Sequence, residues 1–136
     1  MLDNPALLIL GSTPALSVYY DAENQWLYAD WQGAYKAGTA HRSAQLLVQC
    51  LQSYPCQKLL NSTLQVTSSW NGKEKWAGET LFPLLASFGI RYIACVYSKQ
   101  WPARHSLDVA MEYTTQPFIV SFDDLATAYS WLQQTG

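Results

Sequence analysis

The chain has 136 residues, of which 49% are apolar and 13% charged, and its formal net charge is −2. That length fits one domain, residues 1–136, able to bury a core without metals or disulfides. The eight basic residues are scattered, which sets nucleic acid aside, because phosphate neutralisation needs grouped Lys and Arg.

No stretch approaches the length of a membrane span. The apolar run at 6–10 is too short for a signal peptide and has no basic residue ahead of it. Cys50, Cys56 and Cys95 are odd in number and form no CxxC, which points to reduced thiols in a cytoplasmic protein. Six tryptophans beside so little charge imply exposed aromatic surface, hence a partner or self-association.

Residues 1–15 hold one apolar patch, at 7–10, read as an arm or a short strand. Residues 16–20 and 26–31 alternate around a polar turn at 21–25, which is a hairpin signal. One face of that hairpin is expected to meet the core and the other to meet solvent or a partner. Gly33 closes the second strand. From 35 to 54, Ala40, Ala44, Leu47, Val48 and Leu51 recur at helical spacing until Pro55.

Residues 57–61 read as a strand beside the hairpin after a right-handed crossover. Residues 62–72, rich in Thr, Ser, Asn and Gly, read as a long loop, of which 64–66 could extend a strand. Residues 73–88 are helical again, with a stripe of Trp76, Thr80, Leu81, Leu84, Leu85 and Phe88, a break at Pro83 and a Gly89 cap. The run at 89–98 is apolar on both faces and reads as a central strand. A helix over 104–115 carries Leu107, Ala110 and Met111 on one side. A strand at 118–122 follows, then a final helix capped by Asp123 or Asp124, with Leu125, Ala128, Tyr129 and Leu132 inward.

The fold class is therefore α/β, or α+β: a mixed sheet of about five strands with an N-terminal hairpin, and four helices packed mainly on one face.

The chemistry-bearing residues form no recognisable reaction set. His41 and His105 stand alone, with no metal-ligand spacing around them. No GxSxG elbow is present, and the seven glycines are spread singly, so no phosphate cradle is expected. Neither a metal nor another cofactor is implied. Cys95 and His105 can be written as a dyad, but a mid-strand cysteine is usually packed inside.

What remains is polar and aromatic: Ser68, Ser69, Trp70, Trp76 and Trp101, at the ends of elements that follow strands. In open sheets ligands and partners gather there. These tryptophans either form a recognition surface or pad loops against the core.

The opening hairpin, the helix after Gly33, the strand Lys58-Leu59-Leu60-Asn61, the rhythm of Gly89-Ile90-Arg91 leading to Ile93-Ala94, and the closing stretch from Phe122-Asp123-Asp124 to Trp131-Leu132 resemble the STAS and SpoIIAA-like group. The likeness runs over 16–134 and is nearest to small uncharacterised bacterial proteins of that group. The resemblance implies a non-enzymatic module that binds protein partners or small ligands. It also implies a phosphorylatable serine after the strand that ends at Asn61, with Ser68 and Ser69 nearest that place. Asn61 stands where the group's motif has an aspartate, and residues 67–70 lack the motif's acid and glycine.

The expectation is a regulatory protein-binding module, forming a homodimer through Tyr19, Trp26, Tyr28 and the patch at 7–10. The alternative is a carrier of a small apolar ligand or lipid, in a pocket walled by Trp70, Trp76, Phe82 and Trp101. A weaker alternative is an enzyme that uses Cys95.

Overall fold

The computed structural model describes residues 6–136; residues 1–5 of the expected arm lie outside them. Six strands form one sheet in sequence order: β1 (Leu7–Thr13), β2 (Leu16–Asp21), β3 (Trp26–Gly33), β4 (Lys58–Val66), β5 (Tyr92–Val96) and β6 (Phe118–Phe122). The first three form an antiparallel meander, and β3 to β6 run parallel. The patch at 7–10 is thus part of an edge strand, one more strand than the five expected.

Four helices connect or follow these strands. They are α1 (Ala37–Ser53), α2 (Glu74–Trp76, a wide π-turn over Ala77–Leu81, then Phe82–Ser87), α3 (Trp101–Tyr113) and α4 (Leu125–Gln134). The first three cover one face of the sheet, where Leu16, Val18, Leu27, Leu59 and Ile93 pack against Leu47, Leu51, Phe82, Leu85 and Leu107. On the other face Ala128 and Leu132 of α4 meet Trp26, Tyr28, Leu60, Ala94 and Val96. Strands covered on both sides need apolar residues at successive positions. That is why Ile93, Ala94, Cys95 and Val96 are all fully buried.

Covering both faces corrects the reading of the hairpin. Trp26 and Tyr28 are buried, the Trp26 ring standing edge-on to Tyr129 of α4 with centroids 5.3 Å apart. Tyr19 is half-buried and stacks on Tyr28. Trp26 and Tyr28 therefore offer no exposed face for a second copy. The turn between the strands is held by Asp21, whose Oδ1 accepts the amides of Glu23 and Asn24 at 3.1 and 3.0 Å.

Strand β4 runs on to Val66, so the expected loop over 62–72 becomes a connection of residues 67–73. Its polar residues look loop-like in sequence, but their hydroxyls are satisfied locally. Thr63 Oγ1 donates to the Val96 carbonyl at 2.6 Å, and Ser62 Oγ accepts the Leu64 amide at 3.3 Å. Helix α3 begins three residues before the expected start because Pro102 serves in its first turn, where a missing N–H is harmless.

Candidate functional site

A cavity of about 100 Å³ opens on the three-helix face, beside the carboxyl ends of β3 and β4. Its floor is sheet: Trp31, Asn61, Thr63 and Val66. Asn61 is 3% exposed, and its Oδ1 accepts the Trp31 indole N–H at 2.8 Å. An indole nitrogen can only donate, so this bond fixes which end of the carboxamide is oxygen. The Nδ2 end lies 3.7 Å from the Cys95 sulfur.

Helices α1 and α2 supply the walls. Ala40 and Leu47 come from α1, and Trp76, Ala77, Leu81, Phe82 and Leu85 from α2. Pro83 is why α2 widens. Its ring clashes with the preceding turn and it has no amide to donate. The chain answers with a π-turn just ahead, in which the Phe82 amide reaches back to the Ala77 carbonyl. The extra residue rotates everything after it.

The expected stripe therefore holds only in part. Leu81 and Leu85 are buried, Trp76 is half-buried, Thr80, Leu84 and Phe88 are exposed, and Phe82 turns inward. Beyond Ser87 the helix closes as expected. Gly89 takes φ 111° and the Ile90 amide donates to the Leu85 carbonyl at 3.1 Å.

The connection at 67–73 closes one side. Asn71 and Gly72 both have positive φ, 47° and 83°. The Lys73 amide bonds the Trp70 carbonyl at 3.0 Å, a tight turn of the type that needs such residues. It sets the Trp70 ring into the cavity wall, with the Trp70 amide donating to Ser106 Oγ of α3 at 3.1 Å. Ser68 Oγ accepts the Tyr35 amide and donates to the Ser69 carbonyl, both at 2.8 Å, which ties the connection to the β3–α1 junction. Ser69 Oγ lies 3.3 Å from Asn71 Oδ1. Tyr35, Lys36 and Lys73 also line the cavity.

The residues singled out in the sequence thus divide. Trp70, Trp76 and Phe82 meet in the wall, and Ser68 braces the loop behind them. Trp76 is steadied by an edge-on contact with His41 at 4.9 Å. Trp101 is not part of the wall: it is 69% exposed and stacks flat on His105, 5.1 Å away. Sequence reasoning missed Trp31, Asn61, Tyr35, Lys36 and Lys73 as partners of the tryptophans. The available signal was a polar Asn61 inside an apolar strand and a strand-to-helix junction at 33–36.

The remaining candidates fall elsewhere. Cys95 is fully buried, and burial pushes its thiol up to about 12, with the Asn61 contact acting in the opposite direction. His105 lies at the surface with Trp101. Asp124 caps α4, accepting the Thr127 amide at 2.8 Å, while Asp123 pairs with Arg104 at 2.6 Å. Among the described residues no three His, Cys, Asp or Glu side chains come together to hold a metal ion. No helix among them is long and apolar enough to cross a membrane.

A mixed sheet of this order, with helices on both faces, has the SpoIIAA-like fold. The chain is similar to the crystal structure of an uncharacterised DUF3478-family protein with a SpoIIAA-like fold from Shewanella loihica PV-4. The TM-score is 0.54 at 18% sequence identity, over 93% of this chain and 92% of that one. At that identity the likeness is one of fold. No protein-family model and no curated protein matches the sequence.

Proposed function

We propose that residues 1–136 form one non-enzymatic, cytoplasmic binding module that takes a small apolar group into the cavity beside β3 and β4. The observation that carries this is the placement of Trp31, Trp70, Trp76 and Phe82 around one space at the carboxyl ends of parallel strands. That is the region of open α/β sheets where ligands bind, and apolar walls with few polar groups are what ligand sites have. The size narrows the ligand. An engineered cavity of roughly 150 Å³ holds benzene. A space of about 100 Å³ takes a ring in part or a short branched chain, and has no room for the long tail of a lipid.

The non-enzymatic reading is supported by Cys95. A nucleophilic cysteine needs access and a lowered pKa, and this one has neither. The three cysteines are all free, which agrees with a reducing compartment.

The protein-contact reading keeps two supports: the exposed Trp101–His105 stack, and β1, an edge strand with Leu8 49% and Ile9 55% exposed. An apolar edge invites strand addition, here by a second copy.

Paired native and denaturing mass spectra of gently purified protein separate these readings. A small discrete excess that vanishes on denaturation is expected for a bound ligand. A plain multiple of the chain mass, with no response of the cavity residues to small aromatic compounds, would overturn the ligand reading in favour of protein contacts. An excess of one phosphate that survives denaturation would identify a phosphorylated module, with Ser69 and Ser68 the residues to map first.

A further inference from the structure

The cavity lining is mainly apolar, with Gln32, Tyr35, Asn61 and Thr63 as its neutral polar residues, and the formal charges on it share one sign. Lys36, exposed, and Lys73, half-buried, both belong to it, and no Asp or Glu does. Among the described residues neither lysine has an ion pair; the pairs there are Lys75 with Glu79 and Arg104 with Asp123. Neither ammonium has a side-chain hydrogen bond among those residues. Glu74, next to Lys73, accepts a bond from Ser106 Oγ at 3.0 Å, which engages one of its oxygens with α3.

The backbone adds to this field. Lys36 is the N-cap residue of the 17-residue helix α1, which has no side-chain cap and no acid in its first turn. Its first amides therefore keep their partial positive charge beside the cavity. Asp, Asn, Ser or Thr is preferred at such a position; here the N-cap residue is a lysine, which adds to the charge.

We infer that the ligand is a small organic anion, a carboxylate whose ring or short branched chain enters the cavity while its charged head lies between Lys36 and Lys73. This rests on the cavity being the ligand site proposed above. The apolar part supplies most of the contact, and the lysines select the acid over its neutral counterpart.

Benzoate and benzyl alcohol share a ring and differ in charge, so titrating each into the full chain, followed by amide NMR shifts of the cavity residues, tests the inference. Benzoate is expected to bind roughly three- to tenfold more tightly, the range for two partly exposed charge contacts. Raising salt from about 0.05 M to about 0.5 M should weaken benzoate alone. The double variant Lys36→Gln/Lys73→Gln should remove the preference, bringing benzoate to the affinity that benzyl alcohol has for the same variant. Equal affinity for the two probes, or a benzoate preference that survives the double variant, overturns the anion inference and leaves the cavity as a neutral ligand site. If neither probe moves the cavity resonances, the ligand-site reading itself fails.

Discussion

Asp30 sits between Ser17 of β2 and Ser62 of β4, on the face of β3 opposite Trp31. It is 6% exposed, and among the described residues its carboxylate has no ion pair or hydrogen bond. Burial raises its pKa above the ordinary carboxylate value, because a charge there has lost its water. A carboxyl whose folded pKa is raised stabilises the fold fully below its unfolded pKa. That contribution is lost as pH rises through the raised folded value.

At neutral pH, above the unfolded carboxylate pKa, Asp30 is therefore a cost. Asp30→Asn is expected to raise the melting temperature at pH 7, with the gain fading as pH falls below the carboxylate range. Melts of both proteins across that range check the sign, and a lower melting temperature for the variant at pH 7 would show that the charge is compensated. Asp124 behaves oppositely. The Thr127 amide and hydroxyl lower its pKa, so its capping contribution is present above the ordinary carboxylate value and lost as pH falls through the lowered one.

Helices α2 and α3 approach closely at Gly78. A Cβ placed on Gly78 would stand 2.3 Å from the Ala110 carbonyl oxygen and 2.7 Å from Tyr113 Cβ. Backbone cannot step aside as a flexible side chain can. Gly78→Ala should gain up to ~1 kcal/mol of helix propensity and lose about 1–3 kcal/mol to overpacking, a net destabilisation. Gly38→Ala in α1 is the matched control. Its new Cβ would meet only Arg42 Nη1 at 3.8 Å, so it should stabilise by a few tenths of a kcal/mol to about 1 kcal/mol. Urea titrations of the two variants should move in opposite directions, and movement in the same direction would refute the packing argument.

The same helix shows the limit of reading periodicity. The spacing places Leu81 and Leu85 inward correctly. It misplaces Leu84 and Phe88, because the π-turn ahead of Pro83 inserts a residue that no 3.6-residue pattern encodes. Elements bounded by local chemistry were more legible: Pro55 ends α1 closely, Gly89 caps α2, and β6 falls on Phe118–Phe122. The length of β4 was hidden, since Ser62 and Thr63 look like loop until their backbone partners are known.

At the scale of the molecule, the alternation of strands and helices disclosed a mixed sheet, and the three tryptophan-bearing stretches pointed to its carboxyl edge. What no stretch contained was the layer each helix would join. α4 closes over Trp26 and Tyr28, while Trp31, one residue beyond the alternation that buries them, faces the cavity. The sheet thus separates two cores, one holding the cavity and the other built on α4.

That separation gives a test of the whole arrangement. Leu132 is fully buried against the α4 face. Leu132→Ala should cost about 2–5 kcal/mol through lost burial and the void it leaves, read as a lower urea midpoint with an unchanged slope. The strands between the layers are hydrogen-bonded and packed, so the cavity wall should keep its shape in the folded variant. Benzyl alcohol should then bind below the unfolding transition with unaltered affinity. Loss of binding by a variant that is still folded would mean that the two layers are not independent, and that the cavity is shaped by α4 through the sheet.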